Sequence, residues 1–199
     1  AFTVAGARFQ LQPACLATTG ANGDASLCAQ ADWPREGLVV TSERLPLTLL
    51  APWLPEQGGR AVVLRGELTL DADIRPQGNR WIGGVHLKSP EGGMRLGNNA
   101  RREMARYDNF SFDLTFDPQK IQGRLGTGFQ GNGYVDATFN TGWDPYSPLT
   151  GELYTYVSQL FWLELFSPDL VRPRGVVRGH MSVRGTRETA LMAGQLLLE

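Results

Sequence analysis

The stretch Gly126-Thr127-Gly128-Phe129-Gln130-Gly131 carries the GxGxxG spacing of a dinucleotide-binding turn. That turn works only where a helix starts at the glycines, so that amide N–H groups face a pyrophosphate. Here Asn132, Gly133 and the alternating residues Val135, Ala137 and Phe139 follow, and a glycine-kinked strand is expected instead. His86 and His180 are the two histidines; neither has a cysteine or carboxylate at zinc-site spacing, which predicts solvated side chains rather than ligands. Asp71 with Asp73, and Asp113 with Asp117, have the composition of acid/base pairs. Such pairs need a cleft that shifts their pKa values, and on an outward-facing strand parity they serve solubility. Arg101, Arg102 and Arg106 gather around Met104 in the most polar segment, 98–106, a loop or single helical turn. They suit lipid head groups or a partner, or simply water. Asn109-Phe110-Ser111 spells a glycosylation sequon, which carries weight only in a eukaryotic host. No catalytic residue, metal site or cofactor is expected.

The element that organises these residues runs from Val62 to Ile74. Val62, Leu64, Gly66, Leu68, Leu70, Ala72 and Ile74 share one parity; Val63, Arg65, Glu67, Thr69, Asp71 and Asp73 share the other, which Arg75 continues. Period-two alternation predicts a strand with one apolar and one wet face. At about 3.3 Å per residue it would span roughly 43 Å, far longer than a common globular strand.

The same pattern recurs along the chain. Phe2 to Ala5 and Arg8 to Gln12 read as short strands, and Leu38 to Ser42 as another. Leu45 to Pro55 is broken by Pro46, Pro52 and Pro55, leaving room for one helical turn at most. Pro76 to Asn79 turns the chain, Trp81 to Leu87 resumes it, and Pro90 to Gly93 is expected to turn again before a short strand with Met94 and Leu96. Phe110 to Phe116, Ile121 to Phe129, Val135 to Phe139, Leu149 to Val157, Val177 to Val183 and Leu196 to Leu198 complete the alternation. Ser158 to Asp169 carries nearly consecutive large apolar residues and reads as a short buried helical turn. Val63 to Leu70 aligns without a gap on Val176 to Val183, an internal echo of two copies.

The chain has 199 residues, enough to bury a core as one domain or one segment of something larger. A net charge of -1, from 19 basic and 20 acidic residues of mixed order, argues against nucleic acid as a partner. The 24 glycines lack a collagen-like period and suit many turns. No apolar run is long enough to cross a bilayer, and if the parent protein is anchored or exported those signals lie outside this piece. If residues 19–24 form a turn centred between Ala21 and Asn22, Cys15 faces Cys28 and Leu16 faces Leu27 across a hairpin. Opposed strand residues lie about 4.5 to 5.5 Å apart, within reach of a disulfide, although two buried thiols also fit. A bridge implies an oxidising compartment such as a periplasm.

Roughly twenty large side chains share the apolar parity, each worth about 1.5 to 3 kcal/mol when removed from water. Leaving them all wet would exceed the stability of a typical domain, about 5 to 15 kcal/mol. A second sheet would cover them in a β-sandwich. A sheet bent around a groove occupied by acyl chains is the alternative. A carbohydrate-binding sandwich is a third possibility and would need Trp143 and Tyr146 on an outer platform.

Phe161-Trp162-Leu163-Glu164-Leu165-Phe166-Ser167-Pro168-Asp169, followed by Gly175, Gly179, Gly185-Thr186 and Gly194 at strand spacing, resembles the TamB family of Gram-negative envelopes. Where the family often has a proline a few residues after Gly-Thr, this chain has Thr189 and Ala190. The resemblance implies an all-β fold, a long curved antiparallel or mixed sheet folded into a β-taco over a hydrophobic groove. Residues 1–199 would be a single β-taco segment of a periplasm-spanning protein anchored in the inner membrane. It implies a non-enzymatic role in phospholipid transport between the membranes and in outer-membrane protein (autotransporter) assembly. The implied partners are phospholipid acyl chains, a TamA-like outer-membrane barrel and client outer-membrane proteins. Mapped here, the lipid track is Leu64, Leu68, Leu70, Trp81, Val85, Phe112, Leu114, Phe116, Leu125, Phe129, Phe139, Leu153, Met181 and Val183. A scaffold that adds nascent client strands to exposed edges without carrying lipid is the competing expectation.

Overall fold

The computed structural model describes residues 2–5, 8–18, 24–54, 56, 59–97, 100, 103–129, 133–158, 160 and 174–199. These residues form β1 (Phe2–Ala5), β2 (Arg8–Thr18), β3 (Ala25–Trp33), β4 (Gly37–Pro46), a 3-10 helix (Leu47–Trp53), β5 (Val62–Gln77), β6 (Arg80–Leu96), β7 (Ala105–Phe116), β8 (Ile121–Phe129), β9 (Gly133–Thr141), β10 (Leu149–Val157), β11 (Val177–Gly185) and β12 (Ala190–Leu198). All twelve strands belong to one open sheet in sequence order, every pairing antiparallel. The expected all-β curved sheet is thus present, without a parallel pair. β5 and β6, of 16 and 17 residues, are its longest members and pair with each other.

Several elements differ from expectation, each for a local reason. β2 runs unbroken through the first cysteine, and β6 passes straight through Pro90 to Gly93, where a turn was expected. Pro90 sits instead where the β5–β6 register shifts between Gly66 and Thr69, a bulge that can spare the missing proline N–H. Pro13 occupies the corresponding break between β2 and β3. Further shifts fall at Arg44 and Asn109, both with positive φ, 52° and 50°, so the sequon asparagine is a bulge residue in β7. Pro76 lies inside β5, and the turn is made by Gly78 and Asn79 alone. The 3-10 helix spans seven residues with Pro52 inside it, longer than the single turn expected. Of the stretch 158–169, Ser158 and Leu160 are described and the remainder, with the quoted aromatic motif, lies outside the described residues.

The sheet curves towards its apolar side. Trp33 of β3 and Trp81 of β6 have β4 and β5 between them, a separation of about 14 Å at the usual strand spacing. Their ring centroids nevertheless lie 5.7 Å apart, edge to face. In β3 to β6 the most buried side chains on the same parity are small: Ala31, Ser42, Ala72 and Ser89, each 6% exposed or less. Small residues at β3 to β6 let the backbone bend there while larger neighbours lean over them.

Cys15 and Cys28 face each other in the β2–β3 register with Cα atoms 4.0 Å apart and are joined; Leu16 faces Leu27 beside them. The bridge sits on the wet face, in line with Thr41 and Asp71. It closes a loop with a sequence separation of 13, for which replacing both cysteines by alanine should cost on the order of 3 kcal/mol. Urea unfolding should show a lower midpoint for the double variant. Equal midpoints would mean that the edge hairpin frays before the rest of the sheet unfolds.

Candidate functional site

Strand register brings the expected track residues together on one face. Directly paired antiparallel residues point to the same side, so pairing can be followed from strand to strand. One row reads Leu27, Ser42, Leu70, Leu87, Phe112, Leu125, Ala137, Leu153 and Met181. The next reads Val40, Ala72, Val85, Leu114, Gly123, Phe139, Gly151 and Val183. Phe116 belongs to a third row with Ile74 and Gly83, which Trp81 flanks two residues along β6. Leu68 and Leu64 continue the parity along β5 towards its start, and Phe129 pairs with Tyr107 beyond the β7 bulge. None of the fourteen expected track residues is buried: Trp81 and Phe139 are exposed at 43% and 38%, and the other twelve are half-buried. Among the described residues no second sheet lies over this face.

Each end of the face is closed differently. At the end formed by the turns after β3, β5, β7 and β9, four rings meet. Trp81 lies 5.7 Å from Trp33, 6.0 Å from Phe116 and 5.9 Å from Trp143, and Phe116 lies 5.9 Å from Trp143. The Trp143 indole N–H donates to the Asp117 carbonyl at 2.7 Å, fixing the β9–β10 loop over the cluster. Trp33 and Trp143 were not among the expected track residues. Their signal was position, each beside a proline-marked turn at Pro34 or Pro145, and only curvature brings them to Trp81. With its rings engaged here, Trp143 does not supply an outer sugar platform; Tyr146 stands apart at 71% exposure. At the other end Val62, Leu96 and Met104 form a small buried cluster with Leu54, Leu64 and Met94 packed on it.

The opposite face is a lattice of cross-strand charges. Asp71, His86, Asp113 and Arg124 occupy consecutive positions of one row. His86 Nδ1 lies 2.7 Å from Asp113 Oδ1, and His180 Nε2 contacts Glu152 while its ring stacks on Tyr154 at 4.3 Å. Both histidine side chains are solvated as expected, 43% and 53% exposed, and each also has a carboxylate partner on a neighbouring strand. Arg65 and Arg106 each donate to Glu103 at 2.6 Å and hold its carboxyl below the usual range, Arg65 making the larger contribution. Arg44 does the same for Glu67. The amides of Gln119 and Lys120 lower Asp117, which caps a turn and is no partner of Asp113. Most of these pairs are exposed and contribute little individually. Arg101 and Arg102 lie outside the described residues.

Gly126 and Gly128 lie within β8, so the GxGxxG spelling opens no helix there; Gly131 lies outside the described residues. Among the described residues no cluster of histidine, cysteine and carboxylate groups has the makings of a metal site, and no helix is long and apolar enough to cross a membrane. The described residues thus present a broad, half-exposed apolar face backed by a face of paired charges. The chain matches no family model, no curated protein and no solved structure.

Proposed function

We propose that the concave apolar face binds phospholipid acyl chains, as a periplasmic, TamB-like segment that carries lipid between inner and outer membranes. The observation supporting this reading is a single-layer sheet whose large apolar side chains line up on one face and are only half-buried. Such a face costs free energy in water, at about 25 cal/mol per Å² of apolar surface, and acyl chains would remove that cost without demanding hydrogen bonds. The Cys15–Cys28 bridge supports an oxidising compartment. Cooperation with a TamA-like barrel and with client outer-membrane proteins belongs to the same proposal, and rests on the sequence resemblance alone. The reading involves no covalent chemistry and no cofactor.

Native mass spectrometry and thin-layer extraction of the purified chain test it. Co-purifying phospholipid, released when the sheet is unfolded, is expected. A stable, lipid-free protein that acquires no phospholipid from vesicles would overturn the proposal.

A further inference from the structure

Residues 45–54 carry no charge, and by composition they belong in a core. The chain leaves the β4–β5 ladder at Pro46, and Pro52 bars a longer α-helix, so the run folds as the 3-10 helix beside β5. Residues 48–53 are all exposed, Leu49 by 52%, Leu50 by 38% and Trp53 by 78%. Trp53 is the most exposed large apolar side chain among the described residues. With three residues per turn, Leu47, Leu50 and Trp53 stack along one ridge. Exposure climbs along that ridge from half-buried Leu47 to Trp53, so the ridge points away from the sheet.

The size and chemistry of this projection select its partner. Six residues fall far short of the roughly 20 to 30 a side that a stable protein interface uses. A bilayer interface asks only for apolar volume and favours an indole, whose ring body is apolar and whose N–H stays wet. The Trp143 N–H is spent on the Asp117 carbonyl, whereas that of Trp53 has no acceptor among the described residues. Around the projection, Glu43 and Glu56 balance Arg44 and Arg60, and Arg44 pairs with Glu67, so little net charge is left to draw it to an anionic surface.

We infer that residues 48–53 seat in the interface of a phospholipid bilayer, with Trp53 at the level of the head groups and Leu49 and Leu50 among the upper acyl carbons. Leu54, next along the chain, packs with Leu64 on the cluster of Val62, Leu96 and Met104, so an apolar path leads from this seat to the concave face. The inference does not rest on acyl chains occupying that face. A carrier that only extracts lipid leaves vesicles, while a seated protein sediments with them.

Sedimentation of the disulfide-intact chain with phosphatidylcholine vesicles reads the attachment. Binding that persists at high salt is expected, because apolar insertion is not screened. Trp53→Glu should weaken partitioning by about tenfold or more. Its urea midpoint and any phospholipid that co-purifies should stay those of the parent, since the side chain is largely in water. Tyr146→Glu, at an aromatic 71% exposed beyond the opposite end of the sheet, should bind as the parent does. As a second measurement, Trp53→Cys and Tyr146→Cys each take a nitrobenzoxadiazole label, and vesicles should brighten and blue-shift the label at 53 alone. Failure to sediment with vesicles, binding lost at high salt, undiminished binding by Trp53→Glu, or a silent label at 53 would each overturn the inference. A dimer that Trp53→Glu dissolves, with no vesicle binding, would overturn it by assigning the segment to a second copy of the chain.

Discussion

Phe112→Arg should remove nearly all co-purifying phospholipid while leaving the sheet and its disulfide in place. Phe112 lies in the middle strands of the array, with Leu87 and Leu125 as its cross-strand neighbours. A guanidinium there stands in the path proposed for acyl chains. Placing arginine in hydrocarbon costs about 2.5 to 3.5 kcal/mol, so lipid occupancy should fall by roughly a hundredfold. The side chain is only half-buried, and in the lipid-free protein an arginine can lift its charge into water. Folding should survive, as far-UV circular dichroism and an intact Cys15–Cys28 bridge would report. Thr115→Arg is the matched control: Thr115 is exposed and pairs with Gly84 and Gln122 on the wet parity, so the same charge should leave lipid binding unchanged. If lipid stays with the Phe112→Arg protein, the apolar face is not its seat.

The two-faced strands were legible because the side-chain period is two, and a repeated parity survives small errors in strand limits. Val62 to Ile74 showed it, and β5 carries it to Gln77. The cysteine pairing was legible for a related reason: a short hairpin has few registers, and opposing Cys15 to Cys28 also opposes Leu16 to Leu27. Contacts requiring knowledge of the register between distant strands were not legible. His86 to Asp113 and His180 to Glu152 are separated by 27 and 28 residues, and no local spacing announces them. Pro90-Glu91-Gly92-Gly93 has the composition of a turn but serves side chains from elsewhere. A Cβ on Gly92 would stand 2.2 Å from the Tyr107 hydroxyl, which reaches across β6 to Ser89, and one on Gly93 would stand 2.7 Å from the Glu103 carboxyl carbon. Glycine there makes room for two crossings, one on each face, and β6 continues beneath them.

Gly83→Ala should be the most damaging single-methyl change on the concave face, costing more than about 3 kcal/mol and unfolding a protein of marginal stability. Gly83 adopts φ +116°, a conformation that L side chains rarely enter. Its Cβ would stand 1.9 Å from the Asp73 carbonyl oxygen, which is backbone of the paired strand β5 and has no rotamer by which to move aside. The site lies in the β5–β6 pair, beside Trp81 and opposite Phe116, so relief by strand movement would also pull apart the ring cluster that closes this end of the face. Gly126→Ala is the contrasting substitution. Its Cβ would meet only the Ser111 hydroxyl, at 3.4 Å, and the Asp136 carboxylate, at 3.7 Å, with no positive φ. That variant should stay within about 1 kcal/mol of the parent and gain slightly from a stiffer unfolded chain. Urea midpoints of the two proteins separate backbone clash from the general effect of losing a strand glycine. If both fall equally, curvature at β5 and β6 does not depend on Gly83, and the small residues Ala31, Ser42, Ala72 and Ser89 carry the bend without it.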